Sequence, residues 1–578
     1  MRLLGSSRRA RCYSAALLIS LLPLPLRAQT GKAPAASLTG VVRSGIEGPM
    51  EGVLVSAKEV GSGITTTVVS DRRGRYLFPK ERLHPGAYTL AVRAVGYETA
   101  EADGRAIQVL PRTATRLDLL LRKTQDIGPQ LTSSEWLLSV PGTQEQKEFL
   151  FRCVVCHTLE PIVQSRYQPR EFLALMNRMR NYAPPSFLLK PVTAPFDVPA
   201  SPEAERLVNT INKNGKMPRY GYSVSRTPGQ PEDAYAAQYL SSVNLSSTGK
   251  REYELKTLPR PKGRATRMVI TEYDLPRRES QPHDAAVDAE GMVWYTDFSS
   301  PYIGRLNPRT VEIREWRMPV LKPGFPEGSN EVEFDSAGNP WVGRVFQGHV
   351  AKFDKKKEEF TTYRAPEFDD VRANVAFLDI DPGGKVVFLG SGAVHRMDPR
   401  TGEIATAKFS VPKGVSGGFY GWSLDSKGTV YGALQQDAAI AEVDEKSGQL
   451  LVYPTPTPNS GPRRVQMDSK DQFWFAEYLT HKLGMLDTTT KKILEWTVPT
   501  PWSGTYDVVV DKNGEVWGGG MHSDRIFRFN PRTEQFTEYL VPREMNLRRI
   551  EVDNSASAVT LWVGNNHQAK LMKLEPLD

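Results

Sequence analysis

The sequence is poor in cysteine, with three in 578 residues. Cys12 precedes the apolar stretch Ala15 to Leu26, so cleavage of that stretch as a leader leaves Cys153 and Cys156 alone. Two cysteines cannot build a disulfide framework, and a chain of this length is expected to rest on about two to four separate cores. Past the leader, no segment has the roughly 18 uninterrupted apolar residues that a membrane helix needs, so no span is expected in the mature chain. The sequence also lacks a basic run interleaved with aromatics. Its net charge of +8 is spread thinly, and nucleic acid is not an expected partner. Long helical patterns are few, while 43 Pro and 46 Gly supply many turns, which favours β architecture.

What is present begins with Arg2, Arg8, Arg9 and Arg11 ahead of the apolar stretch, and with Leu26-Arg27-Ala28 as a cleavage site. Residues 1–28 read as a signal peptide, which predicts a periplasmic or secreted protein. An uncleaved anchor is the alternative. Residues 37–123 then read as short strands, with alternation clearest at Tyr88, Leu90 and Val92 and turns at Asp71 to Gly74 and His84 to Gly86. The pattern predicts a small β-sandwich. Through Thr39-Gly40-Val41-Val42, Asp71 to Tyr76, Pro85 to Leu90 and Ala94-Val95-Gly96-Tyr97, this region resembles the carboxypeptidase regulatory-like domain. That resemblance implies a transthyretin-like fold and an accessory or adhesive role without chemistry of its own.

Residues 128–256 carry the helical signals. They are a helix from Gln144 into Phe151, an amphipathic one from Pro169 to Asn181, one starting at Ser201-Pro202-Glu203, and a last one from Pro231 to Leu240. Between the first two stands Cys153-Val154-Val155-Cys156-His157. Two thiols at this spacing, followed at once by an imidazole, fit one covalently attached haem c. Cys153 and Cys156 would be the thioether anchors and His157 an axial ligand of the iron. A structural zinc would need about four Cys or His ligands, and a redox dithiol a thioredoxin-like βαβ pattern; the region shows neither.

His157 is the sole histidine between Lys123 and Lys256, which excludes bis-histidine ligation from within the region. Met176 and Met179 fit the apolar face of a helix. Met217 stands in the loop Asn214 to Pro218 and is expected as the second ligand, the alternative being a loop methionine packed under Tyr220. With its attachment motif, its Met217-Pro218 loop and a last helix ending at Tyr239-Leu240, the region resembles a small all-α class I cytochrome c domain. That implies electron transfer. The proline-rich stretch Pro184 to Pro202 is expected to cover the haem edge.

Residues 265–578 repeat. An Asp, a turn and then an aromatic strand recur with the aromatics at Trp294, Trp341, Phe388, Tyr431, Trp474, Trp517 and Trp562, at steps of 43 to 47 residues. A second signal, a strand ending near proline, appears first at Ile270 to Pro276, before its own aromatic strand. This predicts a seven-bladed β-propeller whose first strand completes the last blade. Through Ile270 to Pro276, Gln281 to Asp284, Val293 to Asp297 and Ile303 to Leu306, and again at Phe473 to Glu477, the region resembles virginiamycin B lyase, also called streptogramin lyase.

The resemblance implies elimination chemistry from histidines in Pro-His pairs of neighbouring blades, and here His283 alone stands in such a pair. Glu331, Tyr420, Arg463, Tyr506 and Arg548, or their neighbours, occupy the corresponding places. His283, Asp297 and Glu477 are therefore candidates for a site at the channel mouth, with a structural role in the inner strands as the alternative. Arg344, Arg463, Arg464, Arg548 and Arg549 are expected near the axis as an anion-attracting funnel. His349, His395, His481, His522 and His567 show no metal-like spacing.

The chain is thus expected to be multi-domain and mainly β. The leading expectation is an extracytoplasmic c-type cytochrome with one covalent haem, whose propeller binds a redox partner protein or a small-molecule electron donor. A haem-linked oxidoreductase with its substrate in the propeller, and a lyase-like carbon–oxygen lyase, stand as alternatives.

Overall fold

The computed structural model describes residues 36–100, 106–151, 153–179, 182–193, 231–245, 249–370, 374–390 and 392–577. Met217 and the helix expected from Ser201 lie outside the described residues.

Six four-stranded antiparallel sheets follow one another along the chain: blade 1 (282–317), blade 2 (332–364), blade 3 (378–408), blade 4 (422–454), blade 5 (462–497) and blade 6 (505–540). Blade 7 takes its three inner strands from 547–576 and its outermost from Met268–Asp274, paired in register from Met268 opposite Pro576 to Asp274 opposite Lys570. The innermost strands of blades 7 and 1 lie side by side, so the ring closes.

Both repeat signals have a physical origin. The Asp of each turn holds it from two sides. In blade 1, one Asp288 oxygen accepts the amides of Glu290 and Met292, and the other accepts the Trp294 indole at 2.8 Å. The same indole bond recurs at Asp335–Trp341, Asp468–Trp474 and Asp511–Trp517, at 3.0, 3.1 and 2.9 Å. Gly291 stands in this turn because the backbone there runs at φ 76, which a Cβ disfavours. The second signal supplies the ring on which the first one stacks. Trp294 lies over Trp316, Trp341 over Tyr363, Trp474 over Trp496 and Trp517 over Tyr539. In blade 7 the partner of Trp562 is Tyr273 of the closing strand, which is why the second signal appears once ahead of the first.

The N-terminal module is a β-sandwich. One sheet is built on Ala36–Ser44, with Leu119–Lys123 and Arg75–Pro79 beside it. The other contains Ile64–Val69, Leu54–Glu59 and Gly86–Arg93. Leu38, Val42, Val55, Tyr76 and Phe78 fill the space between the two. The second sheet does not stop at the module. Ile64–Val69 pairs with Met268–Asp274, from Val68 opposite Val269 to Ile64 opposite Tyr273, so sandwich and blade 7 form one continuous eight-stranded sheet. The pairing covers the outer edge of blade 7, which would otherwise offer unpaired amides and carbonyls. Arg93 adds a buried ion pair to Asp524 of blade 6, at 2.6 Å.

The helical segment between sandwich and propeller opens with Ser133–Ser139, a helix the sequence reading did not single out. It is capped by Thr132 and Glu135 in a reciprocal pair. Helices Gln144–Leu150, Glu160–Val163, Pro169–Met179 and Pro231–Val243 follow. The first and last of these touch, with Gln146 donating to the Tyr235 hydroxyl and the Tyr239 hydroxyl donating to the Pro141 carbonyl.

Candidate functional site

The innermost strand of each blade sends side chains toward the channel axis. His283, Arg463, Tyr506 and Arg548 converge there. Arg463 lies 3.5 Å from the Tyr478 ring centre and 5.0 and 5.2 Å from those of Tyr420 and Tyr506, whose hydroxyls share a hydrogen bond of 2.7 Å. One residue further along each strand sits a buried ion network. Arg464 reaches Asp284 at 3.0 Å and Glu331 at 3.4 Å, and Arg549 reaches Glu331 at 2.7 Å. Burial raises Glu331 to about 7, against the pull of Arg549 and Arg464. Four of the five expected arginines thus gather at the axis. Two of them are neutralised by carboxylates, so the channel is a closed network and not an open funnel. Arg344 stands apart in blade 2, donating to the Glu327 carbonyl, and burial lowers it to about 9.

His283 is sealed into this network. Its Nδ1 lies 2.5 Å from Asp284 and its ring 4.7 Å from that of Phe298. Burial drops its pKa to about 4 although Asp284 opposes the shift, so the imidazole is neutral. Asp297 closes a turn. Its oxygens accept from Arg277, from the amides of Gln281, Ser299 and Ser300, and from the Ser299 hydroxyl. Glu477 accepts from Thr480 at 2.6 Å, and burial pushes it up to about 8. Asp297 makes these bonds at blade 1 and Glu477 makes its bond within blade 5.

The residues that do come together are those of the helical segment and the channel mouth. Asn546 donates to the Val154 carbonyl at 2.9 Å and Arg548 to the Val155 carbonyl at 2.8 Å, which pins the two residues between the cysteines to blade 7. Phe151 inserts among Tyr478, His481, Trp502 and His522, with ring centres 4.4 to 5.7 Å away. Ser134 donates its amide to the His522 carbonyl and its hydroxyl to the Trp502 carbonyl. On the far side, Lys190 donates to the Ser299 carbonyl in blade 1 at 2.9 Å. The segment therefore caps the mouth, touching blades 5, 6, 7 and 1. The part of the proline-rich stretch that is described, through Thr193, belongs to this cap.

Cys153 and Cys156 are half-buried thiols, and no disulfide joins them. His157 is buried, and its Nδ1 lies 2.6 Å from the Thr158 carbonyl. That bond makes Nδ1 the donor and leaves Nε2 as the ligating nitrogen. Two thiols, an imidazole in the ligating tautomer and a backbone held rigidly on both sides fit the attachment of a haem. A zinc site fits less well, because no group of three or more His, Cys, Asp or Glu side chains is gathered for a metal ion among the described residues. A cavity of about 270 Å³ opens beside Thr158, where sandwich, cap and propeller meet. It falls below the usual range for small-molecule pockets, which begins near about 300 Å³. The sequence offers His481, His522 and Arg548 without linking them to the helical segment, and it gives no sign of Asn546. Linear spacing carries no sign of these contacts, since each reaches the cap across more than three hundred residues of chain.

Fold and site define a β-propeller whose channel mouth is capped by a segment bearing Cys-x-x-Cys-His and whose last blade is extended by a β-sandwich. Comparison with known proteins agrees for the two β modules. Residues 37–122 match the carboxypeptidase regulatory-like domain, and residues 404–576 match the virginiamycin B lyase family. The chain is 25% identical over 213 residues to virginiamycin B lyase of Nocardia farcinica (strain IFM 10152), a match spanning 35% of this chain and 65% of that protein, just short of two thirds of its length. Among solved structures it is similar to virginiamycin B lyase from Staphylococcus aureus, at 20% identity over 53% of this chain and 99% of that one, with a TM-score of 0.47. It is also similar to a streptogramin B lyase, at 21% identity over 54% and 99%, with a TM-score of 0.48. The chain thus carries a carboxypeptidase regulatory-like domain and a virginiamycin B lyase-like propeller.

Proposed function

We propose that the protein is an extracytoplasmic haem c protein, periplasmic or secreted, whose single haem is presented at the propeller mouth, where its electron donor binds. The observation that carries this reading is the pinning of Val154 and Val155, between the two attachment cysteines, by Asn546 and Arg548 of blade 7. Contact at hydrogen-bond distance seats the motif on the propeller, in place of a remotely tethered module. The contact of the first and last helices around the motif supports the likeness of the cap to a class I cytochrome c domain.

Cys153 and Cys156 would hold the haem by thioether bonds, and His157 would ligate through Nε2. The chemistry such a group supplies when bound is one-electron transfer. The chain's own residues do the rest. Thr158 fixes the tautomer of His157. Phe151, packed against Tyr478, Trp502 and His522, keeps water from the base of the cap. Arg463 and Arg548, flanked by Tyr420, Tyr478 and Tyr506, form a buried positive and aromatic floor beneath the motif.

The lyase reading is less well supported. In the row of His283 the other blades place Asn330, Ala376, Tyr420, Arg463, Tyr506 and Arg548, so no second imidazole faces it from that row. Expression with a haem c maturation system, followed by a pyridine haemochrome spectrum, tests the proposal. A covalent haem c band is expected from the wild type and no band from Cys153→Ala/Cys156→Ala. Wild-type protein without the band would overturn it.

A further inference from the structure

Of the eight histidines in the chain, four gather where cap meets propeller: His157, His481, His522 and His567. Phe151 joins two of them, stacking on His481 at 5.6 Å and packing tilted against His522 at 4.4 Å. His567 lies within electrostatic reach of both His157 and His522. Three of the four rings have partners. His522 is bound through Nδ1 to the Trp502 carbonyl and through Nε2 to the Tyr478 hydroxyl. His481 accepts the Gly504 amide on Nδ1. His157 is held by Thr158. His567 differs, because both of its ring nitrogens are buried and neither has a hydrogen-bond partner. An imidazole so placed leaves two buried polar atoms unmatched, and such a group calls for an explanation.

Its position supplies one. His567 sits in the loop between the strands Thr560–Asn565 and Lys570–Pro576 of blade 7. Its amide is held by the Asn565 side chain, which donates in turn to the Glu544 carbonyl. The Asn566 amide donates to the Asn546 carbonyl. Asn546 and Arg548 are the residues that pin Val154 and Val155. One brace therefore links the attachment motif to the loop that carries the unmatched imidazole.

We propose that His567 is the second axial ligand of the iron, so that a propeller loop completes a bis-histidine haem whose first ligand is His157. The inference rests on the haem reading above and replaces the expectation that Met217 fills this place. It makes the haem a joint between cap and propeller, and it gives the orphaned ring a partner. Exclusion of bis-histidine ligation from within residues 128–256 still holds, because the second histidine comes from another domain.

The full chain, matured with haem c, tests this. A haemochrome spectrum first establishes whether covalent haem is present, and its absence defeats the haem reading itself. With haem present, the ferric wild type should show the low-spin paramagnetic resonance signature of two nitrogen ligands and no thioether-to-iron band in the far red. His567→Ala should turn high-spin, and added imidazole should restore the low-spin signal. His567→Met should create the thioether band and raise the midpoint potential, and Met217→Ala should leave the wild-type spectrum unchanged. A low-spin two-nitrogen signal that survives in His567→Ala, or a wild-type thioether band that Met217→Ala removes, overturns the assignment while leaving covalent haem intact.

Discussion

At the scale of the residue, buried charge governs the propeller's interior. Arg464 is fully buried between Asp284 and Glu331. Its replacement by Met leaves those carboxylates without it, and breaking a buried pair from one side costs about 3–5 kcal/mol. Arg464→Met should lower the denaturant midpoint by the equivalent amount, and an unchanged midpoint would show that the network adds nothing. Glu477 makes a statement about pH. Its folded pKa stands at about 8, whereas an exposed glutamate sits near about 4.3. Between those values the folded chain holds a proton that the unfolded chain has released, so this group's contribution to stability falls as pH rises through that window, by up to about 1.4 kcal/mol per unit. Unfolding measured from pH 5 to 8 should therefore be flatter in Glu477→Gln than in wild type. An identical slope would place the titration elsewhere.

At the scale of the element, the repeat turns were legible and the joints between modules were not. The Asp288 to Trp294 unit explains itself within seven residues, because both halves of its bond lie in one hairpin. The closing strand was legible too, since the strand-to-proline signal at Ile270 to Pro276 appears ahead of the first aromatic strand. The pairing of Ile64–Val69 with Met268–Asp274 left no such mark. Each reads as an ordinary strand, and nothing in either names an edge two hundred residues away. Deleting residues 37–123 should expose that edge, and size-exclusion chromatography should then show higher oligomers; a monomer of unchanged thermal stability would mean that the shared sheet is dispensable. The joint at the channel mouth is equally testable. Asn546→Ala removes one bond worth about 1 kcal/mol, and amide exchange across 153–158 should quicken several-fold by mass spectrometry. Unchanged exchange there would mean the bond does not hold the cap.

At the scale of the whole molecule, the three parts make one object. The sandwich extends the last blade, and the helical segment covers the mouth. The Cys-x-x-Cys-His motif on which the haem proposal rests stands in five consecutive residues, Cys153 to His157. Its setting was not legible there, since Asn546 and Val154 are 392 positions apart. His567 shows the same limit, for it reads as one of several scattered histidines, and only the fold brings its loop against Asn546. Asp297 and Glu477 show it as well. Their repeat positions were legible, whereas their local partners, Ser299 and Arg277 for Asp297 and Thr480 for Glu477, were not. The central claim is that one haem is joined to Cys153 and Cys156 against the propeller mouth. Intact-mass and peptide mass spectrometry of the matured wild type tests it most directly. The account predicts a gain of one haem, carried on the peptide containing Cys153 to His157. An unmodified peptide, with both thiols open to alkylation in protein matured beside an active control cytochrome, would contradict it.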